Sequence, residues 1–362
     1  MAIAILTPSI TTGDAVSNDV LGMYRVLQEH DNVRIFAEGW NIDEPRILPS
    51  PRVKSFLRQP TDILIYHYSR GWNPGLEMLN ELNCRKVIKY HNVTPPEFMA
   101  TYSSDLANMC MEGRRQLAPI AQSNCDLFLS ASAYNMGELV AAGASADKSF
   151  VVAPFHHVNR LNSIEADARV VNQYQNGGVN IFTVGRVAPN KGHVALIQAF
   201  AAYHRDYNQN SRLIIVGKEE TRLAKYSKLL RQLIKRLGLK HAVNFAGGVS
   251  DHELKAYYNV ADVFLMTSEH EGFCVPLVEA MAMKVPITAY ASSAIPETVG
   301  PAGILWHERN PYLLAESISA IVKDKGLARG LSAMGWRRYQ QLFTNEQIRK
   351  QFLGALNAVL PN

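Results

Sequence analysis

The sequence predicts an α/β protein of two domains, each a parallel sheet with helices on both faces. Its 362 residues exceed what one hydrophobic core usually supports, so two domains are expected. Hydrophobic residues make up 47% and charged residues 19%, the composition of an ordinary soluble globular protein. Continuous apolar strands alternate with helical segments twice along the chain, which is typical of parallel sheets buried on both faces.

Each half of the chain contains six predicted strands. In the first half they are Ala2–Pro8, Val33–Glu38, Asp62–His67, Lys86–His91, Leu127–Ser132 and Phe150–Pro154. In the second half they are Val179–Gly185, Arg212–Gly217, Val243–Gly247, Val263–Thr267, Pro286–Tyr290 and Gly303–Trp306. Segments of helical character, such as Val20–His30 and Met109–Gln122, separate several of the strands. Because crossovers between parallel strands are right-handed, each half is expected to be a Rossmann-like domain.

A polar stretch marks the predicted boundary between the domains. Residues 156–178 end in a tail of low hydrophobicity, which indicates a linker. An N-terminal domain of residues 1–165 and a C-terminal domain of residues 175–342 follow from it. Open α/β sheets bind ligands at the carboxyl ends of their strands, so we expect the site in a cleft between the two domains.

Targeting and cysteine patterns favour a cytoplasmic protein. No apolar run approaches the roughly 18 residues that span a bilayer, and the N-terminus lacks the cationic start of a signal peptide. The cysteines form neither a CxxC pair nor a metal-binding spacing, which indicates reduced thiols. They are Cys84, Cys110, Cys125 and Cys274.

Charge is spread unevenly along the chain. Residues 1–170 carry 15 Lys and Arg against 18 Asp and Glu, whereas the remainder carries 22 against 14. A basic second half suits ligands that bear phosphate.

The densest basic stretch of the second half, residues 222–240, has leucines at helical spacing and predicts an amphipathic helix. The basic face is either solvated or in peripheral contact with an anionic membrane. Nucleic acid is disfavoured, because no binding motif is present and no aromatics interleave with the basic residues.

Two acidic residues follow a predicted strand in the second half. Glu271 lies in a turn that contains Gly272, and Glu279 lies eight residues later in an apolar helical start. Backbone N–H groups at such a helix start face an anionic ligand. The carboxylates can accept hydrogen bonds from sugar hydroxyls. The plainer alternative is a glycine turn followed by an ordinary capped helix.

Two basic residues follow the first strand of the second half. Arg186 comes directly after Gly185, and Lys191 lies five residues further on. Arg offers a planar fork for phosphate, and Lys adds a compact second charge. Both would neutralise a leaving diphosphate. The alternative is a Pro-Asn-Lys-Gly turn that carries two solvated cations.

The two motifs resemble EGFGxPxxEAMA, the E-x7-E motif, and GRxxxxKG of retaining GT-B glycosyltransferases of family 4 type. The resemblance covers nearly the whole chain. It implies two Rossmann-like domains facing across a cleft, with the donor mainly on the second domain. The last helix, residues 343–362, would pack back on the first domain. No aspartate pair of the DxD type is present, so no metal is expected at the site.

The same resemblance assigns roles to individual residues. Glu271 would contact the hexose hydroxyls and Glu279 the ribose hydroxyls. Arg186 and Lys191 would stabilise charge on the diphosphate, a contribution of several kcal/mol in such sites. The donor-binding set further contains Gly185, Lys218, Val249, Gly272, Phe273, Cys274 and Val275. Cys274 replaces the usual Gly of EGFG, so its backbone must avoid a glycine-only conformation or carry strain.

Two segments of the first half add site residues. A predicted strand ends in His91, which could donate to a sugar hydroxyl or, on titrating, help with charge. A lone His would otherwise be a core or capping residue. YHNxTPPEF resembles polysaccharide transferases of this family, and by that resemblance His91 would contact the donor sugar.

In the loop after the first strand, Gly13 would let backbone N–H groups approach a phosphate, and Ser17 or Asn18 would cap the helix. Asp14 is either a turn residue or orients an acceptor hydroxyl.

The resemblance implies retaining transfer of a hexose, with mannose favoured, and no cofactor. GDP-mannose is expected as donor ahead of UDP-hexoses. The expected acceptor is a saccharide or lipid-linked saccharide of bacterial surface polysaccharide or O-antigen synthesis, on the cytoplasmic membrane face. The alternatives are a GT-B sugar-nucleotide epimerase or hydrolase and a non-catalytic partner subunit. A partner subunit would be expected to have lost Glu271, Arg186 or Lys191, and all three are present.

Overall fold

The computed structural model describes residues 1–29, 32–43 and 45–359, and the described residues form two compact units. The first unit comprises Met1–Pro96, Ala107–His157 and Thr344–Asn362. The second comprises Glu97–Leu106 and Val158–Phe343. His30, the predicted end of the first helix, and residues 360–362 of the predicted last helix lie outside the described residues.

The first unit is built on a seven-stranded, wholly parallel sheet. Its strands are β1 (Ala2–Ile10), β2 (Asn32–Trp40), β3 (Ile47–Pro49), β4 (Ile63–Tyr68), β5 (Arg85–Tyr90), β6 (Leu127–Ser130) and β7 (Ser149–Val151), in the order β3-β2-β1-β4-β5-β6-β7. In the interior strand β1, Leu6 pairs with Phe36 on one side and Tyr66 on the other, and all three side chains are fully buried. This burial explains the continuous apolar character of the strands.

The helices of the first unit follow its strands. They are α1 (Ala15–Leu27), α2 (Val53–Phe56), α3 (Asn73–Glu81), α5 (Ser104–Ala121, whose first turn is grouped with the second unit), α6 (Ala133–Ala141) and α16 (Asn345–Leu356). The last of them begins at Thr344, whose side chain accepts a hydrogen bond from the Gln347 backbone N–H.

The second unit is built on a six-stranded parallel sheet. Its strands are β8 (Val179–Val184), β9 (Ser211–Val216), β10 (Val243–Gly247), β11 (Val263–Met266), β12 (Ile287–Tyr290) and β13 (Gly303–Trp306), in the order β10-β9-β8-β11-β12-β13. Its helices are α4 (Glu97–Ala100), α7 (Val158–Ser163), α8 (Ala168–Tyr174), α9 (His193–Asp206), α10 (Ala224–Arg236), α11 (Asp251–Val260), α12 (Val275–Ala282), α13 (Ile295–Val299), α14 (Pro311–Lys323) and α15 (Lys325–Arg338), which a π-helical turn (Tyr339–Phe343) follows. Among the described residues, no helix is long and apolar enough to cross a bilayer.

The direction of strand succession reverses once in each sheet. In the first unit the reversal lies between β1 and β4, and in the second it lies between β8 and β11. In doubly wound sheets a crevice opens at this point, beyond the carboxyl ends of the two strands, and ligands bind there. A ligand site in the second unit is therefore expected in the loops after β8 and β11.

All twelve predicted strands are present, but other details of the prediction were wrong. The short strand β3 was missed. The stretch predicted as a linker contains α7 and α8, whose apolar residues Leu161 and Tyr174 are buried in the second unit. Burial of these few side chains stabilises helices that the polar composition of the stretch did not indicate.

Candidate functional site

The loops after β8 and β11 are held together by backbone contacts. Gly192 has a left-handed φ of 66°, and a Cβ there would lie 2.1 Å from the Thr267 carbonyl oxygen, so only glycine fits without displacing the strand end. The Asn190 carbonyl oxygen accepts a hydrogen bond of 2.8 Å from the Glu269 N–H. These contacts hold the residue before Gly192 against the loop that contains Glu271.

Lys191 and Glu271 form an ion pair at this position. Lys191 Nζ lies 2.6 Å from Glu271 Oε1, and the two side chains are 22% and 8% exposed. The Glu271 backbone N–H donates a 2.7 Å hydrogen bond to Ser293 Oγ, which anchors the loop from the other side. The structure thus brings together one residue from each of the two motifs found in the sequence.

Glu279 lies within α12 and is almost fully buried, with 4% of its surface exposed. The Tyr258 hydroxyl donates a 2.7 Å hydrogen bond to its Oε2. A buried carboxylate is costly unless it is hydrogen-bonded, so Tyr258 stabilises Glu279 where the helix holds it.

Cys274 occupies a strained position before α12. Its φ of 74° and ψ of 69° are left-handed, a conformation that costs a non-glycine residue about 1–2 kcal/mol. The expectation of strain at this replaced glycine is met. Burial raises the pKa of the thiol well above its usual range, so it stays protonated. Gly272 and Phe273 precede it in the loop, and the Phe273 carbonyl accepts a 2.6 Å hydrogen bond from Thr298 Oγ1. Val275 begins α12.

Arg186 follows β8 but pairs with a different acid. Its Nη1 lies 2.6 Å from Glu220 Oε1, and its side chain is 63% exposed. Lys218 follows β9, and its carbonyl accepts a 3.0 Å hydrogen bond from the Val187 N–H. Because Arg186 is largely exposed, it can exchange its half-buried carboxylate partner for a ligand anion at small cost.

The loops after β8, β9 and β10 meet at the same sheet edge. Gly217 approaches Gly185 so closely that a Cβ on Gly217 would lie 1.8 Å from the Gly185 carbonyl oxygen. The Gly217 N–H donates a 2.8 Å hydrogen bond to Gly247, the last residue of β10. Val249 follows in the loop before α11. The predicted donor residues of the second unit thus come from neighbouring loops.

In the first unit, Gly13 lies in the turn after β1 with a left-handed φ of 78°. The prediction that Ser17 or Asn18 caps the next helix was wrong. The cap is Asp14, whose Oδ2 accepts hydrogen bonds from the Ser17 N–H at 3.0 Å and from Ser17 Oγ at 2.9 Å. The helix begins at Ala15, so Ser17 and Asn18 already lie in its first turn. Asp14 uses its carboxylate locally, as expected of a turn residue.

His91 follows β5 and belongs to a buried polar cluster. Its Nε2 lies 2.9 Å from His67 Nδ1 and 3.5 Å from Asp19 Oδ2. Lys89 Nζ lies 3.7 Å from the same oxygen and donates a hydrogen bond to the Val152 carbonyl. Burial, with His67 and Lys89 nearby, holds the pKa of His91 well below its usual range. His91 is therefore neutral at neutral pH in this structure, and of the two roles considered from the sequence the structure favours hydrogen bonding over charge.

The residue after His91 is also strained. Asn92 has a φ of 82°, and its side-chain amide donates hydrogen bonds of 2.8 Å to Asn135 Oδ1 and Glu138 Oε2. Glu138 in turn binds Arg114 at 2.7 Å. This network offsets the strain and fixes the backbone beside His91.

One group among the described residues could hold a metal ion. It consists of Asp19, His67 and His91, whose ligand atoms all lie within 4.8 Å of one another. The ammonium group of Lys89 lies next to the carboxylate and opposes a cation by repulsion. The donor set therefore fits a divalent ion poorly.

Buried His193, which begins α9, makes the stability of the second unit depend on pH. Burial lowers the pKa of His193 to about 4, whereas an unfolded histidine has a value of about 6.5. Below about pH 6.5 the unfolded chain therefore binds a proton that the folded chain binds only near pH 4, and stability falls as pH falls through this window. At pH 5 we expect the free energy of unfolding to be lower by about 2 kcal/mol because of this group.

Denaturant unfolding of wild type and His193→Gln at pH 7 and pH 5 measures this pH dependence. The exposed His307→Gln is the control, and equal pH dependence in wild type and H193Q would refute the assignment.

Two residues that contact the predicted site residues were missed in the sequence. Tyr258 binds Glu279 but gave no signal of its own, because it lies beside another tyrosine in a helical segment. His67 lies within the apolar run of β4 and resembles a core residue. Its position could have been found from the pairing of adjacent strands, since the next predicted strand also ends in a histidine.

Comparison with known proteins supports the resemblance. Residues 166–336, which contain Arg186, Lys191, Glu271 and Glu279, match the family described as "Glycosyl transferases group 1". Mannosylfructose-phosphate synthase of Agrobacterium fabrum is 26% identical over 242 residues, covering 65% of this chain and 53% of that protein. A GDP-mannose-dependent alpha-(1-6)-phosphatidylinositol monomannoside mannosyltransferase of Mycobacterium tuberculosis is 29% identical over 167 residues, covering 43% and 42%. The chain spans about half the length of the curated relatives it matches.

A solved structure supports the fold along the whole chain. HepE of Anabaena, in complex with UDP and glucose, aligns with a TM-score of 0.77 at 19% identity, covering 99% of this chain and 100% of that one. Two parallel-sheet, Rossmann-like α/β domains of the GT-B class are therefore confirmed. The family match and the curated relatives show similarity to glycosyltransferases.

Proposed function

We propose that the chain is a retaining, metal-independent glycosyltransferase that moves a hexose from a nucleoside diphosphate sugar to a saccharide or lipid-linked saccharide. The observation that carries the proposal is the Lys191–Glu271 pair. It lies beyond β8 and β11, at the reversal of strand order, with buried Glu279 in the helix that follows. A cation for a diphosphate and two acids for hydroxyls are the groups that a sugar nucleotide requires.

Donor binding would exchange the partners of these groups. Lys191 would move from Glu271 to the diphosphate, and the released carboxylate would accept hydrogen bonds from the hexose hydroxyls. Arg186 would likewise leave Glu220 and bind phosphate oxygens through its planar fork. Glu279 would accept from the ribose hydroxyls while Tyr258 continues to hold it. Each charge of the ligand then meets an opposite or hydrogen-bonding group.

The chemistry follows from this arrangement. The bond between the anomeric carbon and the β-phosphate oxygen breaks, the bond to the acceptor oxygen forms, and the acceptor proton leaves with the diphosphate. Negative charge develops on the diphosphate, where Lys191 and Arg186 stabilise it, so that two fixed cations do the work of a divalent ion. Retention of anomeric configuration is proposed from the family resemblance.

The names of the relatives favour mannose and GDP-mannose. One relative is named as GDP-mannose-dependent and another as a mannosylfructose-phosphate synthase. The acceptor proposed is a saccharide or lipid-linked saccharide of a bacterial surface polysaccharide. An acceptor held in an anionic membrane would meet exposed basic residues of α10, such as Lys225, Lys228 and Lys235.

Release of nucleoside diphosphate from a panel of sugar nucleotides, with EDTA present, tests the proposal. We expect slow turnover of one donor, faster turnover when lipid-linked saccharide is added, and slower turnover in Glu279→Ala when the donor is below saturation. Turnover that no acceptor raises would indicate a hydrolase, and interconversion of the sugar without release would indicate an epimerase. No release from any donor, with acceptors and Mg²⁺ added, would contradict a transferase.

A further inference from the structure

A second histidine lies directly behind His91 in the first unit. His67 is on β4, and His91 follows the neighbouring strand β5, so parallel pairing brings the two rings together. The rings are stacked with centroids 5.1 Å apart, and His67 Nδ1 lies 2.9 Å from His91 Nε2. Burial lowers the pKa of both imidazoles well below the usual range, so each carries one N–H. One hydrogen therefore lies between these two nitrogens.

The surroundings of His67 decide which nitrogen holds that hydrogen. If His91 Nε2 were the donor, the hydrogen of His67 would have to lie on its own Nε2. That atom is fully buried and has no hydrogen-bond partner among the described residues. A buried N–H without an acceptor is rare and costs about 1–3 kcal/mol, whereas the reverse arrangement leaves only a lone pair there. The geometry therefore favours His67 Nδ1–H as the donor.

Asp19 and Lys89 complete the surroundings of the two rings. Asp19 Oδ2 lies 3.5 Å from His91 Nε2 and 4.0 Å from His67 Nδ1, so it faces the shared hydrogen. Its other oxygen accepts a 2.8 Å hydrogen bond from the Phe155 N–H. Lys89, 3.7 Å from Oδ2, offsets the carboxylate charge. The Asp19 side chain thus lies near both nitrogens, and the choice between them rests on the buried Nε2 of His67.

We propose that His67 is a positioning residue that fixes His91 in the tautomer with its proton on Nδ1, so that His91 offers an N–H donor to a hydroxyl of the bound sugar. Nδ1 of His91 makes no hydrogen bond within the described part of the chain, and 6% of the His91 side chain is exposed. It is the nitrogen left for a ligand. The inference rests on the proposed function, because the sugar is a substrate of the proposed transfer.

A metal ion is the competing explanation for three ligand atoms this close. An ion bound by both histidines would need the lone pairs of Nδ1 and Nε2 to point at it, whereas here the two nitrogens face each other at hydrogen-bond distance. The positive charge of Lys89 opposes an ion as well. The hydrogen-bonded pair accounts for the distances without one.

Nuclear magnetic resonance of the wild-type protein tests the tautomer directly. Nitrogen-15 spectra of histidine-labelled protein distinguish a protonated ring nitrogen from an unprotonated one, and loss of a signal in His91→Gln assigns His91. The expected result is a protonated Nδ1 and an unprotonated Nε2 in His91. A protonated Nε2, or one equivalent of bound zinc that is lost in Asp19→Asn, overturns the proposal. This readout needs no transfer activity, so it stands or falls separately from the proposed function.

Two variants of His67 test its effect on transfer. His67→Gln keeps an amide donor, whereas His67→Met has none. We expect kcat/KM for transfer to fall roughly tenfold in H67M and to be largely retained in H67Q, as for loss of one oriented hydrogen bond. In H67M the His91 signals should show both tautomers. A wild-type His91 tautomer in folded H67M would refute positioning by His67.

Discussion

Replacing Lys191 with methionine is expected to lower kcat/KM for glycosyl transfer by roughly 10²–10³. Methionine keeps the length of the side chain but removes the charge that we propose stabilises the departing diphosphate, and loss of one such group costs about 3–4 kcal/mol. It also leaves Glu271, 8% exposed, without its cation. An unpaired carboxylate at this place would repel the diphosphate. The fall in kcat/KM should therefore be larger than the fall caused by replacing a solvent-exposed lysine. Steady-state kinetics with the preferred donor measure the effect.

Two further variants separate these contributions. Lys225→Met removes an exposed lysine of α10 and should leave transfer to a soluble saccharide acceptor, without a membrane, unchanged. The double variant Lys191→Met/Glu271→Gln removes the repelling charge along with the attracting one, so it should bind donor better than K191M while remaining slow. Transfer by K191M within about threefold of wild type would contradict the role of Lys191, because that is less than 1 kcal/mol.

Replacing Glu279 with alanine is expected to raise KM for the donor by roughly 10- to 100-fold with a smaller change in kcat. Hydrogen bonds to a charged group contribute about 1.5–3 kcal/mol. The ribose lies away from the reacting bond, so the contacts of Glu279 would be the same in the ground state and the transition state. Loss of such uniform binding raises KM rather than lowering kcat. The measurement is donor saturation at fixed acceptor.

Tyr258→Phe is the matched control for Glu279. It removes the 2.7 Å hydrogen bond to Oε2 and keeps the carboxylate. Its KM should rise less than that of E279A, because the group that meets the ribose is still present. A fall in kcat without a rise in KM in E279A would place Glu279 at the reacting bond instead, and equal thermal midpoints of the variants would exclude unfolding as the cause.

The main strands and the two motifs were predictable because their signals are local and continuous. Buried parallel strands leave uninterrupted apolar runs, and β8 and β11 are such runs. The loops that follow them contain Lys191 and Glu271 in recognisable spacing. Their direct contact was not predictable, because it depends on the order of strands in the sheet and on Gly192 fitting against Thr267.

The features that were missed depend on tertiary contacts. The three-residue β3 is too short for a periodic signal, and it pairs only with β2. The helices in the predicted linker are stabilised by burial of a few side chains, which polar composition conceals. His67 gave no signal because a histidine inside an apolar strand resembles a packed core residue until the neighbouring strand brings His91 against it. Pairings between distant segments decide all three cases.

Direct binding of nucleoside diphosphates tests the central claim, that the site built around Lys191 and Glu271 holds a sugar nucleotide without a metal. GDP, UDP and ADP would be titrated calorimetrically into wild type, K191M and K225M with EDTA present. We predict that one of them binds wild type and K225M with Kd between about 1 μM and 1 mM, the usual range for enzyme substrates, and K191M at least about tenfold more weakly. Binding that requires Mg²⁺, or that is equal in K191M and wild type, would contradict the claim.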